Sequence, residues 1–542
     1  MRKLLFIFIL QIVISLTISA QATQEWASRY YSGAGDDYIT GMAVDTTGNV
    51  FVTGYITGSN SNIDYATVKY NSAGVQQWVQ TYNGTGNYDD LPSDIVTDIS
   101  GNVYITGRST GNGSDQDYAT IKYNSAGVQQ WVKIYNGTSN YYDAATSIAV
   151  DGSGNVYVTG SSYDNTTNTD YATIKYNSSG IQQWITKYNG PAGSIDVALK
   201  ITIDAAGNVY ITGKSTGSGT GLDYATIKYN SSGVQQWAGR YSGAGNGEDV
   251  PSSISVDASG NVYVTGYTTV SGSGKDYTTI KYNSAGVQQW LKTYNGPGNG
   301  DDKAVSIAVD GTGNVAVTGS SLGSGTDYDY ATIEYNSYGI QQWLQRYNGI
   351  GNQYDIPTAL RIDGFGSVYL TGSTIVNFTY NDYATIKYNS AGAQQWIQKY
   401  AGTGNQYDLA GPLVLDAAGN VYVSGSSQGI GESFEFATLK YSQVIGIQQI
   451  STIIPQKYSL IQNYPNPFNP TTNIQFSIPE SGFVKLTVFD MLGREIEILV
   501  SEELNPGTYE ADFDGSKYAS GVYFYKLVTR RFEETKKMLL VK

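Results

Sequence analysis

The chain contains neither cysteine nor histidine among its 542 residues. Without cysteine it can form no disulfide bond, and it has no thiolate for nucleophilic attack or metal binding. Without histidine it lacks the most frequent ligand of transition metals and the most frequent general base of enzymes. The composition therefore excludes most of the familiar catalytic and transition-metal chemistries.

Basic residues are few compared with acidic ones. The sequence has 32 lysines and arginines against 46 aspartates and glutamates, which gives a net charge of −14. A protein that binds nucleic acid needs positive charge opposite the phosphates. We therefore expect no nucleic-acid partner.

Long apolar runs are missing after the N-terminus. One run between Leu4 and Ala20 follows two basic residues and ends at a small-x-small cleavage site, Ala20-Gln21-Ala22. This pattern predicts a signal peptide over residues 1–22, with cleavage after Ala20 or Ala22. The alternative is a membrane anchor, but the run is at the short limit for crossing a bilayer. We expect a mature chain without a transmembrane segment that is secreted or held at the outer-membrane surface.

Tryptophan occurs at a fixed spacing. The first spacing is 52 residues and every later spacing is 53, and the eight positions are Trp26, Trp78, Trp131, Trp184, Trp237, Trp290, Trp343 and Trp396. Repeats of this length form solenoids or propellers because neighbouring units bury a continuous core. No helical periodicity accompanies the repeat, which indicates an all-β unit.

One unit, residues 143–190, shows the pattern of strands. Two β-rich runs surround a Gly/Asn turn, at Ser147–Asp151 and Val156–Gly160, and a second such pair follows at Asp170–Tyr176 and Ile181–Tyr188. Two hairpins give four strands per repeat, which is the number of strands in one blade of a β-propeller.

The order of the strands in a blade follows from side-chain size. The middle residue of the first strand is small in most repeats, with Arg361 the exception, and small residues suit the crowded axis of a propeller. We therefore place this strand innermost and the tryptophan strand outermost. The array begins with a tryptophan strand at Trp26 and ends with a third strand at Phe436–Tyr441. The sequence predicts an eight-bladed β-propeller over residues 23–441, whose last blade is closed by the N-terminal strand.

The repeated blocks resemble a known family. The chain is similar to the SBBP-type bacterial β-propeller repeat over about residues 24–441, in the blocks Asp-Tyr-Ala-Thr-Ile-Lys-Tyr-Asn, Gly-Val-Gln-Gln-Trp and Ser-Ile-Ala-Val-Asp-x-x-Gly-Asn-Val-Tyr-Val-Thr-Gly. The resemblance implies a propeller in an extracellular setting and carries no catalytic residues. Members are often described with seven blades, whereas the count of eight comes from the repeats of this chain.

An aspartate precedes the first strand in every repeat. These eight carboxylates could form an acidic ring near the axis that holds Ca²⁺ or another hard cation, and this ring is the candidate ligand-binding site. The alternative is that each carboxylate accepts hydrogen bonds from backbone N–H groups of its own Gly-rich crossing loop. The residues are Asp37, Asp90, Asp143, Asp196, Asp249, Asp302, Asp355 and Asp408. Apart from Ca²⁺ at this ring we expect no cofactor, no metal and no catalytic residue.

Two further positions recur in the repeats. An aspartate such as Asp98 or Asp151 opens the Asp-x-x-Gly-Asn turn, and because it lacks the further carboxylates of an EF-hand we interpret it as a turn cap. A lysine such as Lys69 or Lys122, replaced by Glu334 in one repeat, is expected to be solvated or to snorkel.

The loop between the second and third strands varies most among the repeats. It contains Tyr163, Phe378 and Tyr380 among Gly, Ser, Thr and Asn residues. Variable loops on a rigid scaffold suit a binding rim, whereas drift in unconstrained loops explains the variation equally well. The breaks in repeat symmetry, such as Ala316, do not assemble an acid/base pair.

A second domain begins near Pro455. The tryptophans have ended there, and six of the twelve prolines fall in the last 88 residues. Four short β-rich runs between Thr472 and Leu527 predict a small Ig-like β-sandwich over residues 458–542, after a linker at 442–457.

The motifs of this domain look like the type A sorting domain of the type IX secretion system. They are Tyr464-Pro-Asn-Pro-Phe-Asn-Pro-Thr-Thr472, Met491-Leu-Gly-Arg-Glu495, Ser520-Gly-Val-Tyr523 and Lys537-Met-Leu-Leu-Val-Lys542. The resemblance implies export by the type IX machinery as partner, often with removal of the domain and attachment of the passenger to the surface. The residues that carry the motif are Pro465, Asn466, Pro467, Gly493, Gly521, Tyr523 and Lys542. From the residues alone, an ordinary Ig-like adhesion module is the alternative.

The sequence as a whole predicts a secreted or surface-displayed β-propeller that binds a carbohydrate or a protein, or contributes to an extracellular matrix. The competing class is an extracellular polysaccharide hydrolase or lyase that uses Asp and Tyr residues, because propellers also host such sites. A non-enzymatic protein is favoured, since the repeats show no unique constellation of acid and base.

Overall fold

The computed structural model describes residues 22–542 except 59–61, 114, 167, 245–246, 377–379, 405, 432, 444–447, 452–453 and 516–517. The predicted signal peptide therefore lies, up to residue 21, outside the described residues. The described chain forms two compact units, Ala22–Ser442 and Gln443–Lys542. Within these ranges all regular structure is β-strand, as the sequence predicts, and no helix has the length and apolarity to span a bilayer.

The first unit contains eight four-stranded sheets, which we number in chain order. Sheet 1 contains β2 (Tyr38–Val44), β3 (Val50–Thr57), β4 (Ile63–Tyr70) and β5 (Gln76–Tyr82). Sheet 2 contains β6 (Asp90–Thr97), β7 (Val103–Thr110), β8 (Gln116–Tyr123) and β9 (Gln129–Tyr135). Sheet 3 contains β10 (Asp143–Val150), β11 (Val156–Asp164), β12 (Asn168–Tyr176) and β13 (Gln182–Tyr188). Sheet 4 contains β14 (Asp196–Ile203), β15 (Val209–Gly217), β16 (Gly221–Tyr229) and β17 (Gln235–Tyr241).

The second half of this unit repeats the pattern. Sheet 5 contains β18 (Val250–Val256), β19 (Val262–Val270), β20 (Gly274–Tyr282) and β21 (Gln288–Tyr294). Sheet 6 contains β22 (Asp302–Val309), β23 (Val315–Leu322), β24 (Tyr328–Tyr335) and β25 (Gln341–Tyr347). Sheet 7 contains β26 (Asp355–Ile362), β27 (Val368–Val376), β28 (Tyr380–Tyr388) and β29 (Gln394–Tyr400). Sheet 8 contains β30 (Asp408–Leu415), β31 (Val421–Gln428), β32 (Phe434–Gln443) and β1 (Ala22–Tyr30).

The turn between the first and second strands shows why this sequence repeats. In sheet 3, Asp151 Oδ1 accepts the N–H of Asn155 at 2.9 Å, and Oδ2 accepts the Asn155 side-chain amide at 2.7 Å and the Tyr157 hydroxyl at 3.0 Å. Gly154 has a φ of +76°, which residues with a side chain rarely adopt. This aspartate is thus a turn cap, as the sequence predicts.

The eight first strands surround one cavity. Each contacts the first strand of the next sheet, and β2 of sheet 1 contacts β30 of sheet 8. Every first strand contains an irregularity in its pairing, such as the one between Ala145 and Ser147 in β10. The residue at this irregularity, Thr146, donates from Oγ1 to the carbonyl of Ala198 in the next sheet at 2.9 Å. The first strands are therefore innermost, as predicted from their small residues.

The N-terminal strand completes the last sheet. β1 pairs with β32 as the outer strand of sheet 8. Arg29 Nε in β1 donates to Glu435 Oε2 in β32 at 2.7 Å, although the two residues are 406 positions apart. Trp26 Nε1 donates to the carbonyl of Ser72 in sheet 1 at 3.1 Å. The strand therefore links the last sheet to the first.

The core of this unit lies between neighbouring sheets. Tyr157 and Tyr171 of sheet 3, for example, pack with Ile211 and Ile227 of sheet 4, and all four side chains are buried. Both faces of a sheet are thus covered, which explains why the strands show no clean alternation of apolar and polar residues.

The tryptophans lie on the outer strands against a turn of the next sheet. Trp237 is half-buried, and its Nε1 donates to the carbonyl of Ser284 at 3.2 Å. For Trp396, this contact is not found among the described residues, and no group there accepts its Nε1–H.

The second unit contains two four-stranded sheets on one core. Their orders are β33-β38-β35-β34 and β37-β36-β39-β40. Both sheets contribute to a buried cluster that includes Ile474, Phe476, Leu486, Tyr525 and Leu527. The strands are β33 (Gln448–Ser451), β34 (Ser459–Leu460), β35 (Thr471–Ile478), β36 (Gly482–Phe489), β37 (Glu495–Leu504), β38 (Gly507–Asp514), β39 (Gly521–Thr529) and β40 (Glu533–Leu540).

Candidate ligand-binding face and sorting region

The predicted acidic ring lies where the crossing between two sheets meets the first strand. Asp90 opens β6, and its Oδ2 accepts the N–H of Gly84 in the preceding crossing at 2.5 Å. Its Oδ1 accepts the N–H of Thr110, the last residue of β7, at 3.1 Å. The carboxylate thus ties the crossing to the end of the second strand.

The contact with the crossing recurs in all eight sheets. Each carboxylate accepts the N–H of a crossing-loop glycine, or of Ser32 in the case of Asp37, at 2.5–2.7 Å. The eight residues, all at most 1% exposed, are Asp37, Asp90, Asp143, Asp196, Asp249, Asp302, Asp355 and Asp408. These are the local contacts that the alternative interpretation of the ring predicts. The described residues include no group of three carboxylates placed to hold one metal ion, and calcium binding stays a prediction.

Burial is the largest influence on the pKa of both Asp90 and Asp64. It raises the pKa of Asp90, while the Gly84 N–H and the Ser109 hydroxyl oppose the rise. Asp64, at the start of the third strand of the preceding sheet, has a pKa raised by burial and then by the charge of Asp90. In three sheets an arginine of the outer strand pairs with the third-strand acid, as Arg29–Glu435, Arg240–Asp223 and Arg346–Asp329.

The crossings and the variable loops lie on one face of the first unit. Gly86 in a crossing donates its N–H to the carbonyl of Thr110 at 3.1 Å. In the same way, Thr216 at the end of β15 donates to the carbonyl of Ile195 at 3.0 Å. The acidic residues and the variable loops are therefore neighbours.

Three pairs of tyrosines stand on this face, and we call them the tyrosine rim. Their ring centroids are 5.1–5.8 Å apart, and the pairs are Tyr141–Tyr163, Tyr328–Tyr354 and Tyr380–Tyr407. The member from the crossing is exposed in each pair, by 55% for Tyr141, 45% for Tyr354 and 43% for Tyr407. The rim offers flat apolar rings with a polar hydroxyl at the edge.

Sequence reasoning found only part of this rim. Tyr163 and Tyr380 were expected there, whereas Phe378 lies outside the described residues. The crossing tyrosines were not predicted, because the variation among the repeats is concentrated in the loop between the second and third strands. A signal was present, since at the position of Tyr354 most other repeats have an acidic residue, such as Asp89 or Asp301.

The central cavity is the second candidate site, and we call it the axial cavity. Its volume is about 690 Å³, and residues of the first strands of all eight sheets line it. About half of the lining residues are small or hydroxylated, and most of the others are aliphatic. Among the described lining residues the charged ones are Asp94, Lys200 and Arg361.

The sorting residues gather mainly around the last strand of the chain. The carbonyl of Pro465 accepts the Thr472 hydroxyl at 2.8 Å, and Asn466 Oδ1 accepts the N–H of Leu539 at 3.0 Å. After Pro467, Phe468 is buried, and its N–H donates to the carbonyl of Leu539 at 2.9 Å. The proline-rich segment is thus docked on β40.

Three other sorting residues lie near the same strand, and one lies apart. Gly521 pairs with Leu540, the Tyr523 hydroxyl donates to the carbonyl of Ala519 at 2.7 Å, and the Lys542 N–H donates to Ser520 Oγ at 3.0 Å. Gly493, with a φ of +76°, belongs instead to the turn between β36 and β37. In that turn, the residues at 491 and 492 are 71% and 79% exposed.

Comparison with known families accounts for both units. The beta-propeller repeat family SBBP matches residues 28–60, 77–113, 130–165 and 237–272. The secretion system C-terminal sorting domain matches residues 462–542. The chain carries SBBP beta-propeller repeats and a C-terminal sorting domain. Both resemblances seen in the sequence motifs are confirmed.

More distant similarities add little. An uncharacterized WD repeat-containing protein of Acanthamoeba polyphaga mimivirus is 26% identical, over 52% of this chain and 29% of that protein. Drosophila Plexin A in complex with Semaphorin 1b has 9% identity and a TM-score of 0.38, covering 78% of this chain and 88% of that chain. A Synechocystis apocarotenoid oxygenase has 9% identity and a TM-score of 0.33, covering 78% of this chain and 97% of that chain. We draw no functional argument from these matches.

Proposed function

We propose that this protein is a secreted or surface-displayed binding scaffold, exported through the type IX secretion system. The observation that carries the proposal is the match of residues 462–542 to a C-terminal sorting domain, which indicates export to the cell surface or the extracellular space. A signal peptide at residues 1–22 would take the chain across the inner membrane first. The comparisons do not favour the alternative of a polysaccharide hydrolase or lyase.

The proposal includes the finer architecture of both units. The eight sheets are the blades of one closed propeller, supported by the contact of β2 with β30 and by the Trp26–Ser72 hydrogen bond. The second unit is an Ig-like sandwich, supported by its two four-stranded sheets on one core. A rigid ring presented outside the cell is suited to holding loops for binding.

Export can be tested by removing the second unit. Cells that express the chain without residues 458–542 should accumulate the propeller in the periplasm, because the machinery recognises the missing domain. Fractionation and surface proteolysis measure the distribution. A matched variant with two alanines at the exposed positions 491 and 492 tests whether that turn contributes to recognition. Undiminished appearance of the truncated chain outside the cell would contradict the proposal.

The ligand that the tyrosine rim suits best is a carbohydrate, with a protein as the second outcome of the test. Exposed aromatic rings offer apolar contact to a sugar face and hydroxyls for its polar edge. The crossings that carry Tyr141 and Tyr354 also contain asparagines, such as Asn140 and Asn352. These contacts can bind a polysaccharide without an acid and a base placed for catalysis.

A glycan panel probed with the mature chain tests this binding. Tyr141→Ala and Tyr354→Ala should each weaken binding, by about fivefold or more if the ring stacks on a sugar. Tyr338→Ala is the matched control, because Tyr338 is 79% exposed in a turn between the third and fourth strands, away from the rim. Turnover of the glycan, or equal loss in the Tyr338 variant, would contradict the proposal.

A further inference from the structure

The axial cavity breaks the symmetry of the repeats through charge. Lys200 pairs with Thr212 in the position that Ser147, Ser253 and Ser306 occupy in other sheets. Arg361 occupies the position of small residues such as Ala308. The fold therefore does not require a cation at either place.

The one carboxylate in the lining is already engaged by hydrogen-bond donors. Asp94 Oδ1 accepts the N–H of Ile95 at 2.9 Å. Its Oδ2 accepts the Ser147 hydroxyl at 2.8 Å and the N–H of Ile148 at 3.1 Å, both from the next sheet. Asp94 thus joins sheet 2 to sheet 3 through hydrogen bonds. Its single negative charge balances only one of the two positive charges in the lining.

The two cations lack carboxylate partners among the described residues. Arg361 Nη1 donates to the carbonyl of its neighbour Leu360 at 2.8 Å, and no described carboxylate lies within 4 Å of its guanidinium. Lys200 is exposed to the cavity and makes no hydrogen bond or ion pair with the residues that the structure describes. Arg361, like Lys200, is exposed to the cavity. A cation there is stabilised by an anion.

Hydroxyl groups complete the surroundings. Ser253 Oγ accepts the N–H of Ile307 at 3.4 Å, and Ser306 Oγ accepts the N–H of Leu360 at 3.2 Å. Within the described chain no acceptor is found for the proton of either hydroxyl, so both can donate to a ligand. The volume of about 690 Å³ lies in the range of small-molecule sites.

We propose that the axial cavity binds a small oxyanion, a carboxylate, sulfate or phosphate group, between Lys200 and Arg361. The guanidinium donates two parallel N–H groups to the oxyanion and the ammonium adds a point charge. The serine hydroxyls bind further oxygens of the ligand. Asp94 sets the limit of one anionic group, because a second would meet an uncompensated negative charge.

Calorimetry with the full mature chain tests the site. The probes are sodium sulfate, inorganic phosphate and galacturonate, with neutral galactose as the control and sodium chloride to match ionic strength. The oxyanions should bind and galactose should not. If galacturonate binds but sulfate and phosphate do not, the ligand is a carboxylate-bearing sugar. If all three probes bind, the ligand is a free oxyanion.

Variants with residues native to the other repeats locate the binding. Arg361→Ala and Lys200→Ser should each weaken oxyanion binding by about tenfold or more, and Asp94→Ser should strengthen it. Lys214→Ser in sheet 4 is the matched control, because Lys214 does not line the cavity. Tryptophan fluorescence verifies that each variant is folded, and Arg361→Gln provides a second test at nearly constant volume. Absence of oxyanion binding, equal binding of galactose, or unchanged binding in both cation variants would overturn the proposal.

Discussion

Sheet 6 departs from the other sheets at two residues that face each other, Ala316 and Glu334. In five other sheets a lysine ammonium lies over an aromatic ring, as Lys122 over Tyr104 at 5.0 Å, and donates to a carbonyl of the next sheet. Glu334 is 4% exposed, and burial together with the charge of Asp310 raises its pKa to about 7. A buried carboxyl therefore stands where the repeat has a cation.

This carboxyl predicts a pH-dependent stability. Since the folded-state pKa of about 7 lies above the ordinary glutamate value of 4.5, its stabilising contribution is present below pH 4.5 and is lost as the pH rises through 7. At pH 8 the wild type should be about 1–3 kcal/mol less stable than Glu334→Gln, and at about pH 4 the difference should nearly vanish. Urea unfolding followed by tryptophan fluorescence measures it, because every tryptophan lies in the first unit. The same difference at both pH values would refute this explanation.

Individual side chains were predictable where the contact is local. The turn aspartates, such as Asp151, accept hydrogen bonds within four to six residues, so sequence spacing was sufficient. The lysine expectation is wrong for Lys69, which is 9% exposed and donates to the carbonyl of Ser125 in the next sheet at 2.8 Å. The position of that carbonyl depends on how the sheets stack, and one repeat does not contain this information.

At the scale of the strand, β1 is the element whose partner is most distant in sequence. Arg29 in β1 and Arg240 in β17 make nearly the same contacts, each with an acid, a tyrosine hydroxyl and a serine. One arginine lies on the N-terminal strand of sheet 8 and the other lies inside sheet 4. The two arginines therefore allow a comparison of sheet 8, whose strands come from both ends of the first unit, with sheet 4, whose strands are consecutive in the sequence.

Arg29→Ala and Arg240→Ala should destabilise the first unit by similar amounts. Each loses charge-assisted hydrogen bonds of a side chain that is less than a third exposed, which costs about 1–3 kcal/mol. Urea titration of both variants beside the wild type gives the two values. A negligible loss for Arg29→Ala alone would show that β1 is not held in sheet 8.

The strands themselves were largely predictable, because Gly/Asn turns separate the β-rich runs at regular intervals. The irregularity in every first strand was not. In β10 it releases Thr146 to donate to Ala198 of the next sheet, and such a partner is visible only once the sheets are placed side by side.

At the scale of the molecule, the acidic residues are distributed around the ring rather than gathered at one point. Each carboxylate accepts an N–H of its own crossing, and four of them also accept a donor of the second strand, as Asp302 does from Gly296 and Leu322. A carboxylate in such a setting gains little from a cation. The sequence predicted that an aspartate precedes every first strand but left the role of these aspartates open, because spacing alone does not show the direction of a side chain.

Calcium removal should therefore leave the thermal unfolding of the first unit unchanged. The melting temperature with EDTA and with added Ca²⁺ should agree within about 1 °C, since a ligand that binds the folded state would raise it. Tryptophan fluorescence on the mature chain gives both values. A melting temperature that falls in EDTA and recovers with Ca²⁺ would restore the cation interpretation of the acidic ring.

The pairing of β1 with β32 has a consequence for biosynthesis. The ribosome makes β1 first and its partner only after all other strands of the first unit. The segment that directs export is translated later still, at residues 462–542. A polypeptide that terminates before residue 462 therefore lacks the sorting domain, so translation order couples export to the synthesis of every strand of sheet 8.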